Sequence, residues 1–163
     1  MRVAMRSERN AGFTLIELMV TLVIVAVLGM LTVPVVEVTL QRGKERDLRH
    51  ALREIRDALD AYKRASEEGA IESVNDASGY PPNLEMLVEG VPRRDDRKKG
   101  KLYFLRRIPS DPMNDRPDLS PSATWGKRSF ASEASDPHEG EDIFDIYSVS
   151  GKTGLNGTPY MAW

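Results

Sequence analysis

The chain carries one long apolar stretch near its N-terminus. No residue from 18 to 36 is charged, and a helix over that stretch spans about 28 Å, close to the roughly 30 Å of a bilayer core. The pattern predicts a membrane span within a helix over residues 13–36. Pro34 lies inside it and lacks an N–H donor, which predicts a kink.

Beyond Pro34 the uniform apolar pattern gives way to an amphipathic one. Large apolar residues recur at spacings of four and three, which defines one helix face: Leu48, Leu52, Ile55, Leu59 and Tyr62. We therefore expect the helix to continue over residues 37–68 and to lie on a small domain. A coiled coil is the alternative, but about two heptads fall short of the usual three or four.

Residues 69–163 read as a loop-rich domain. Asn83 and Gly90 bracket a short helix, and the charged run at 93–101 is typical of a solvated loop. Strand signals occur at 129–131, 142–149 and 158–163. They predict a small antiparallel sheet that covers the apolar helix face, hence an α+β fold.

The composition of the chain excludes several classes of function. A length of 163 residues suits one domain with an appendage, and a formal net charge of −2 gives no nucleic-acid footprint. The chain has no cysteine, which excludes disulfides, thiolate zinc sites and thiol nucleophiles.

Glu17 stands near the start of the apolar stretch. A charged residue costs roughly 2.5–3.5 kcal/mol at the centre of a membrane helix, less near an interface, so a partner is expected. Cleavage after Gly12 would supply one, because the new amine of Phe13 would be a cation at neutral pH.

Residues 12–20, Gly-Phe-Thr-Leu-Ile-Glu-Leu-Met-Val, resemble the class III signal of type IV pilins and pseudopilins. The resemblance implies that a prepilin peptidase cuts between Gly12 and Phe13 and methylates the Phe13 amine. It also implies that Glu17 guides assembly by pairing with the N-terminus of a neighbouring subunit. The alternative is a general secretory signal or a plain anchor, but a general signal would need a shorter apolar core followed by a small-residue cleavage site.

The same resemblance gives the kink region two interpretations. The stretch from Gly29 to Pro34 could loosen in a filament and make it extensible. Alternatively, the membrane helix simply tolerates a proline, as membrane helices often do.

The second half resembles a particular branch, the major pseudopilin of type II secretion. The residues that follow its order are Tyr80-Pro81, Leu84, Leu87, Tyr103, Leu105, Ile108-Pro109-Ser110-Asp111-Pro112, Trp125-Gly126 and Asp145-Ile146-Tyr147-Ser148. Residues 113–124 form an extra loop where that family joins its motifs directly. The absence of cysteine also favours pseudopilins, because many true pilins close a C-terminal disulfide loop.

That branch binds calcium near its last strands, with carboxylates and main-chain carbonyls. The resemblance therefore implies calcium as a possible cofactor, with ligands among Asp136, Glu141, Asp142, Asp145 and Ser148. However, Lys152 stands near the place where the family has a second aspartate. A solvated acidic loop is the alternative.

The flanking charges bear on orientation. Arg2, Arg6 and Arg9 precede the span and favour a cytoplasmic N-terminus, although several basic residues just beyond the span weaken the asymmetry. We expect a cleaved leader at 1–12, a single pass through the bacterial inner membrane, a periplasmic C-terminal domain and assembly into a periplasmic pseudopilus.

No catalytic residue is predicted. Gly151-Lys152-Thr153 lacks the earlier glycine of a phosphate-binding loop, because Ile146 occupies that place, and His50 and His138 stand alone. The leading hypothesis is a structural subunit, not an enzyme, that drives export through a type II secretion pseudopilus. Its expected partners are further copies, minor pseudopilins, prepilin peptidase and an inner-membrane platform powered by a cytoplasmic ATPase, with no nucleic acid. The rivals are a type IV pilus subunit and a membrane-anchored periplasmic enzyme or binding domain.

Overall fold

The computed structural model describes residues 12–72, 78–94 and 100–163, with the backbone alone at 31–34. Its main element is helix α1, Leu15–Glu67, which confirms the predicted long helix. The chain divides into two compact units, Met1–Leu40 and Gln41–Trp163.

In the first unit, α1 presents its apolar residues outward. All described side chains from 15 to 30 and from 35 to 40 are exposed. By length and composition this part of the helix is long and apolar enough to cross a membrane. An apolar surface of that extent requires a cover of lipid or of other protein chains.

The predicted kink falls on residues that are only partly described. The helix assignment is continuous through 31–34, but the side chain of Pro34 lies outside the described residues. The kink at Gly29 and Pro34 stays a prediction, as do the divisions at 12 and 36 and the leader, of which residues 1–11 are outside the described range.

In the second unit, α1 buries the predicted apolar face. Leu48, Leu52, Ile55, Leu59 and Tyr62 are all essentially inaccessible to solvent, so the predicted stripe is confirmed. The stripe packs against apolar residues contributed by the rest of the domain: Ile71, Leu84, Leu87, Val91, Leu105, Met113, Trp125, Ile143, Ile146 and Tyr160.

Helix α1 ends at a glycine in the left-handed conformation. Gly69 has a φ of 66°, and its amide donates to the Ser66 carbonyl at 3.0 Å. The next amide, of Ala70, donates to the Ala65 carbonyl at 2.9 Å. These two bonds form a Schellman motif, which turns the chain back toward the apolar face.

The short helix predicted after Asn83 is present as α2, Glu85–Glu89. The Asn83 side chain accepts a hydrogen bond from the Met86 amide at 3.0 Å, and Gly90 follows with a φ of 76°. Strand β1, Val91–Pro92, then pairs antiparallel with β2, Lys101–Leu102. Of the charged run, residues 95–99 lie outside the described range.

A second antiparallel pair joins β3, Trp125–Arg128, to β4, Asp145–Ser148. The register places Trp125 opposite Ser148 and Arg128 opposite Asp145. Gly126 is required here, because an added Cβ would lie 2.4 Å from the Tyr147 ring. Antiparallel pairs beside a long helix confirm the α+β class.

Two of the three predicted strands are corrected. Residues 158–163 do not form a strand: Tyr160–Ala162 is a 3-10 helix after Pro159, with local bonds from the Ala162 amide to the Pro159 carbonyl and from the Trp163 amide to the Tyr160 carbonyl. An isolated antiparallel bridge pairs Thr153 with Pro159. Residues 129–131 form a turn after β3, because the Ser129 hydroxyl and the Phe130 amide both donate to Asp142. Only 142–149 contains a strand, β4.

The buried stripe gives a stability prediction. Ile55→Ala should destabilise the domain by about 2–5 kcal/mol, the usual cost of truncating a buried aliphatic side chain. The exposed neighbour Asp57→Ala should change stability by less than about 0.5 kcal/mol. Denaturant titration of the full chain in detergent, followed by the fluorescence of Trp125 and Trp163, measures both. Equal effects of the two substitutions would contradict the packing described.

Candidate functional site

The predicted cleavage site lies just before the helix. Residues 12–14 are non-helical, and Phe13 is 84% exposed. The Thr14 side chain accepts a hydrogen bond from the Glu17 amide at 3.3 Å, as an N-cap residue does. The Gly12–Phe13 peptide bond therefore precedes the capped end and lies in accessible backbone, the state that a peptidase needs.

Thr14 is the residue that sequence reasoning missed at this site. The signal for it is a threonine followed three positions later by a glutamate, the spacing of a capping box. The cap fixes where α1 begins. It thereby places Glu17 in the first turn of the helix, where a carboxylate is also favoured by the helix dipole.

Glu17 has no basic side chain near it in sequence. From 13 to 41 the only charged residues are Glu17 and Glu37. The hydroxyls of Thr21 and Thr39 bond to carbonyls of their own helix, at 2.9 and 2.8 Å, so they suit an apolar environment. The Glu17 side chain is exposed. In an apolar environment its charge would need a cation, which must come from outside residues 13–41. The roles predicted for Gly12, Phe13 and Glu17 stay predictions.

A second polar group of residues joins α1 to the C-terminal sheet. Asp145 of β4 accepts from Arg56 Nε at 2.8 Å and from Arg128 Nη2 at 3.2 Å. Arg56 also donates to the main-chain oxygens of Ile146, at 3.2 Å, and Trp163, at 2.9 Å. One helix arginine thus fixes both β4 and the segment that follows it.

Asp142 organises the turn after β3. Its carboxylate accepts from the Ser129 hydroxyl at 2.5 Å and from the Phe130 amide at 3.1 Å. Burial opposes ionisation, but these bonds, with another from Ser78, outweigh it and lower the pKa of Asp142 below its ordinary value. Asp142 is therefore a charged structural residue of the turn.

Asp111 plays a similar part at the start of the extra loop. Its carboxylate accepts from the Ser148 hydroxyl at 2.6 Å and from the Met113 amide at 2.8 Å. Its own amide donates to the Thr124 hydroxyl at 3.0 Å. Both ends of the loop at 113–124 are thereby attached to β4, which explains how an insertion fits there.

The five residues predicted as calcium ligands do not form one ligand set. Asp136 pairs with His138 on the surface, and Ser148 gives its hydroxyl proton to Asp111. Asp142 and Asp145 are occupied by the serine and arginine donors described above, while Glu141 is exposed. Across the described residues, no group of three or more His, Cys, Asp or Glu side chains could hold a metal ion.

Calcium takes six to eight oxygen ligands and favours several carboxylates. Asp145 faces two guanidinium groups, whose charge would repel such an ion. The residues present therefore do not fit the calcium site that the resemblance implied, and the function proposed below does not use one.

The N-terminal motif and the fold define the class of this protein. Residues 8–33 match the family described as "Prokaryotic N-terminal methylation motif". Together with the long helix and small antiparallel sheets, this motif defines a membrane-anchored protein of the pilin-like class. No solved structure matches the chain.

Full-length comparisons identify the branch. The chain is 30% identical over 140 residues to type II secretion system core protein G of Pseudomonas aeruginosa, covering 83% of this chain and 91% of that protein. It is 33% identical over 124 residues to the protein of the same name from Vibrio cholerae, covering 71% and 75%. For Aeromonas hydrophila the values are 29% over 146 residues, with 85% and 92% covered. The chain belongs to the type II secretion core protein G family, which confirms the resemblance.

The lowered pKa of Asp142 predicts acid sensitivity. The stabilising effect of this carboxylate is present above its unfolded pKa, about 4, and is lost as the pH falls through the lower folded pKa. Asp142→Asn should therefore lower the melting temperature clearly at pH 7 and much less near pH 3. Exposed Asp118→Asn is the matched control. A deficit of Asp142→Asn that stays constant between the two pH values would contradict this account.

Proposed function

We propose that this chain is a structural subunit of a type II secretion pseudopilus, which polymerises through α1 and drives protein export across the outer membrane. The observation that carries the proposal is the apolar half of α1, exposed at residues 15–30 and 35–40, in a chain of the core protein G family. In the membrane, lipid covers this surface. In the filament, other copies of the same helix cover it.

An ordered filament needs a contact that fixes the axial offset between neighbouring helices, because apolar contacts alone would allow many offsets. Apolar side chains pack in many registers, whereas an ion pair in an apolar environment is strongly directional. Cleavage after Gly12 creates the Phe13 amine, which methylation leaves cationic. Pairing of that amine with Glu17 of a neighbouring copy would fix the axial position of each subunit.

The proposed topology has a cytoplasmic N-terminus and a periplasmic domain. Arg2, Arg6 and Arg9 support it through the positive-inside tendency. Prepilin peptidase would process the chain at the membrane, and an inner-membrane platform with its ATPase would extract it into a filament with minor pseudopilins. The role is structural, and the chain itself performs no chemistry in it.

Glu17 offers a direct test of assembly. Removing one partner of a buried ion pair costs about 3–5 kcal/mol, so Glu17→Gln should weaken subunit association at least about a hundredfold. Membrane insertion should persist, because the apolar stretch is unchanged. Glu37→Gln, the other acidic residue of the segment, is the matched control and should assemble normally. Sheared filament yield and membrane fractionation report the two properties separately, and normal filaments from Glu17→Gln would remove the assigned role.

A deletion separates the pseudopilus from the type IV pilus. Loss of this chain should block release of secreted proteins into the medium and leave pilus-dependent motility intact. Export is measured as the secreted fraction of a periplasmic passenger enzyme, with complementation by the intact gene as control. Loss of motility with normal export would instead assign the chain to a pilus.

A further inference from the structure

The C-terminal loop, residues 149–159, is attached to α1 by a buried carboxylate. Glu45 is only 5% exposed. Its Oε1 accepts from the Leu155 amide at 2.8 Å and from the Tyr160 hydroxyl at 3.0 Å. A single helix residue thus holds the middle of the loop and the residue that follows it.

Gln41, one helical turn earlier, extends the same attachment. Its Nε2 donates to the Tyr160 hydroxyl at 3.0 Å and contacts the Thr153 carbonyl at 3.5 Å. Glu45 and Gln41 share one face of α1, four residues apart. Between them they bind the loop at 153 and 155, and also Tyr160, which follows it.

The loop has a second attachment on its outer side. Lys152 Nζ lies 2.5 Å from the Asp115 carboxylate in the extra loop at 113–124. This hydrogen bond and the lysine charge lower the pKa of Asp115. Lys152 stands near the place where the resemblance leads one to expect a second aspartate, so an ammonium paired with Asp115 lies where a metal ligand is expected.

We infer that this domain secures its C-terminal loop without calcium, through Glu45 and Gln41 of α1 on the inner side and the Lys152–Asp115 pair on the outer side. A loop that closes on a metal brings several carboxylates together around a cation. Here three carboxylates already meet protein donors: Glu45 an amide and a phenol, Asp115 an ammonium, and Asp145 two guanidinium groups.

The inference also accounts for the extra loop. Asp115 lies within residues 113–124, the segment that interrupts the family's order. The insertion carries the carboxylate that Lys152 requires. This ion pair therefore joins the extra loop to the C-terminal loop.

Hydrogen exchange of the full chain in detergent tests the inference. The Leu155 amide should exchange at the same rate in millimolar calcium and in excess chelator, and the melting temperature should be unchanged. Glu45→Ala should accelerate Leu155 exchange at least about tenfold in both conditions, since the acceptor is lost. Asp47→Asn, exposed on the same helix, is the control and should leave it unchanged.

Glu45→Gln and Lys152→Gln keep the test decisive if Glu45→Ala does not fold. Each should loosen the loop by a smaller factor, again equally with and without calcium. Slower Leu155 exchange or a higher melting temperature on adding calcium to the unaltered protein would overturn the inference. Unchanged Leu155 exchange in both Glu45 variants would overturn it as well.

Discussion

The apolar surface of α1, described at residues 15–30 and 35–40, limits the environments in which the whole molecule is stable. The described side chains, at 15–30 and 35–40, are all exposed, so this half of the helix requires a cover of lipid or of other protein chains. The second unit must therefore close its own core without residues from that half. The second unit does so, since its core begins with Leu48, beyond the apolar segment.

The domain is held to the remaining half of α1 by two kinds of contact. The stripe from Leu48 to Tyr62 supplies the burial, and polar side chains on either flank of the stripe fix the position of the last segments. Arg56 holds β4, while Glu45 holds the loop that follows. Both residues belong to the half of α1 that lies in the second unit, so one helix segment contacts both the C-terminal sheet and the loop.

Sequence patterning predicted the elements that depend on periodicity or on a strong local signal. The long helix, its buried stripe, α2 with its glycine and the α+β class follow from such signals. The hydrogen bonds from Glu45 and Arg56 to the C-terminal segments could not be predicted, because these two residues lie in a helix rich in charged residues. Glu45 lies three residues before Leu48 on the buried face, a spacing that marks it in retrospect. The segment at 158–163 has strand-forming residues, but local backbone bonds after Pro159 give a 3-10 helix instead. The family resemblance implied calcium at the acidic residues near β4. The arginine and serine partners of Asp145 and Asp142 come from distant parts of the chain, so the sequence around these aspartates did not reveal them.

The central claim is that processing creates the cation that Glu17 needs for polymerisation. Mass spectrometry of the protein purified from its own cell tests it most directly. The account predicts a chain that begins at Phe13 and carries one methyl group on its amine. A functional protein that retains residues 1–12, or one cut beyond Ala26, would contradict it.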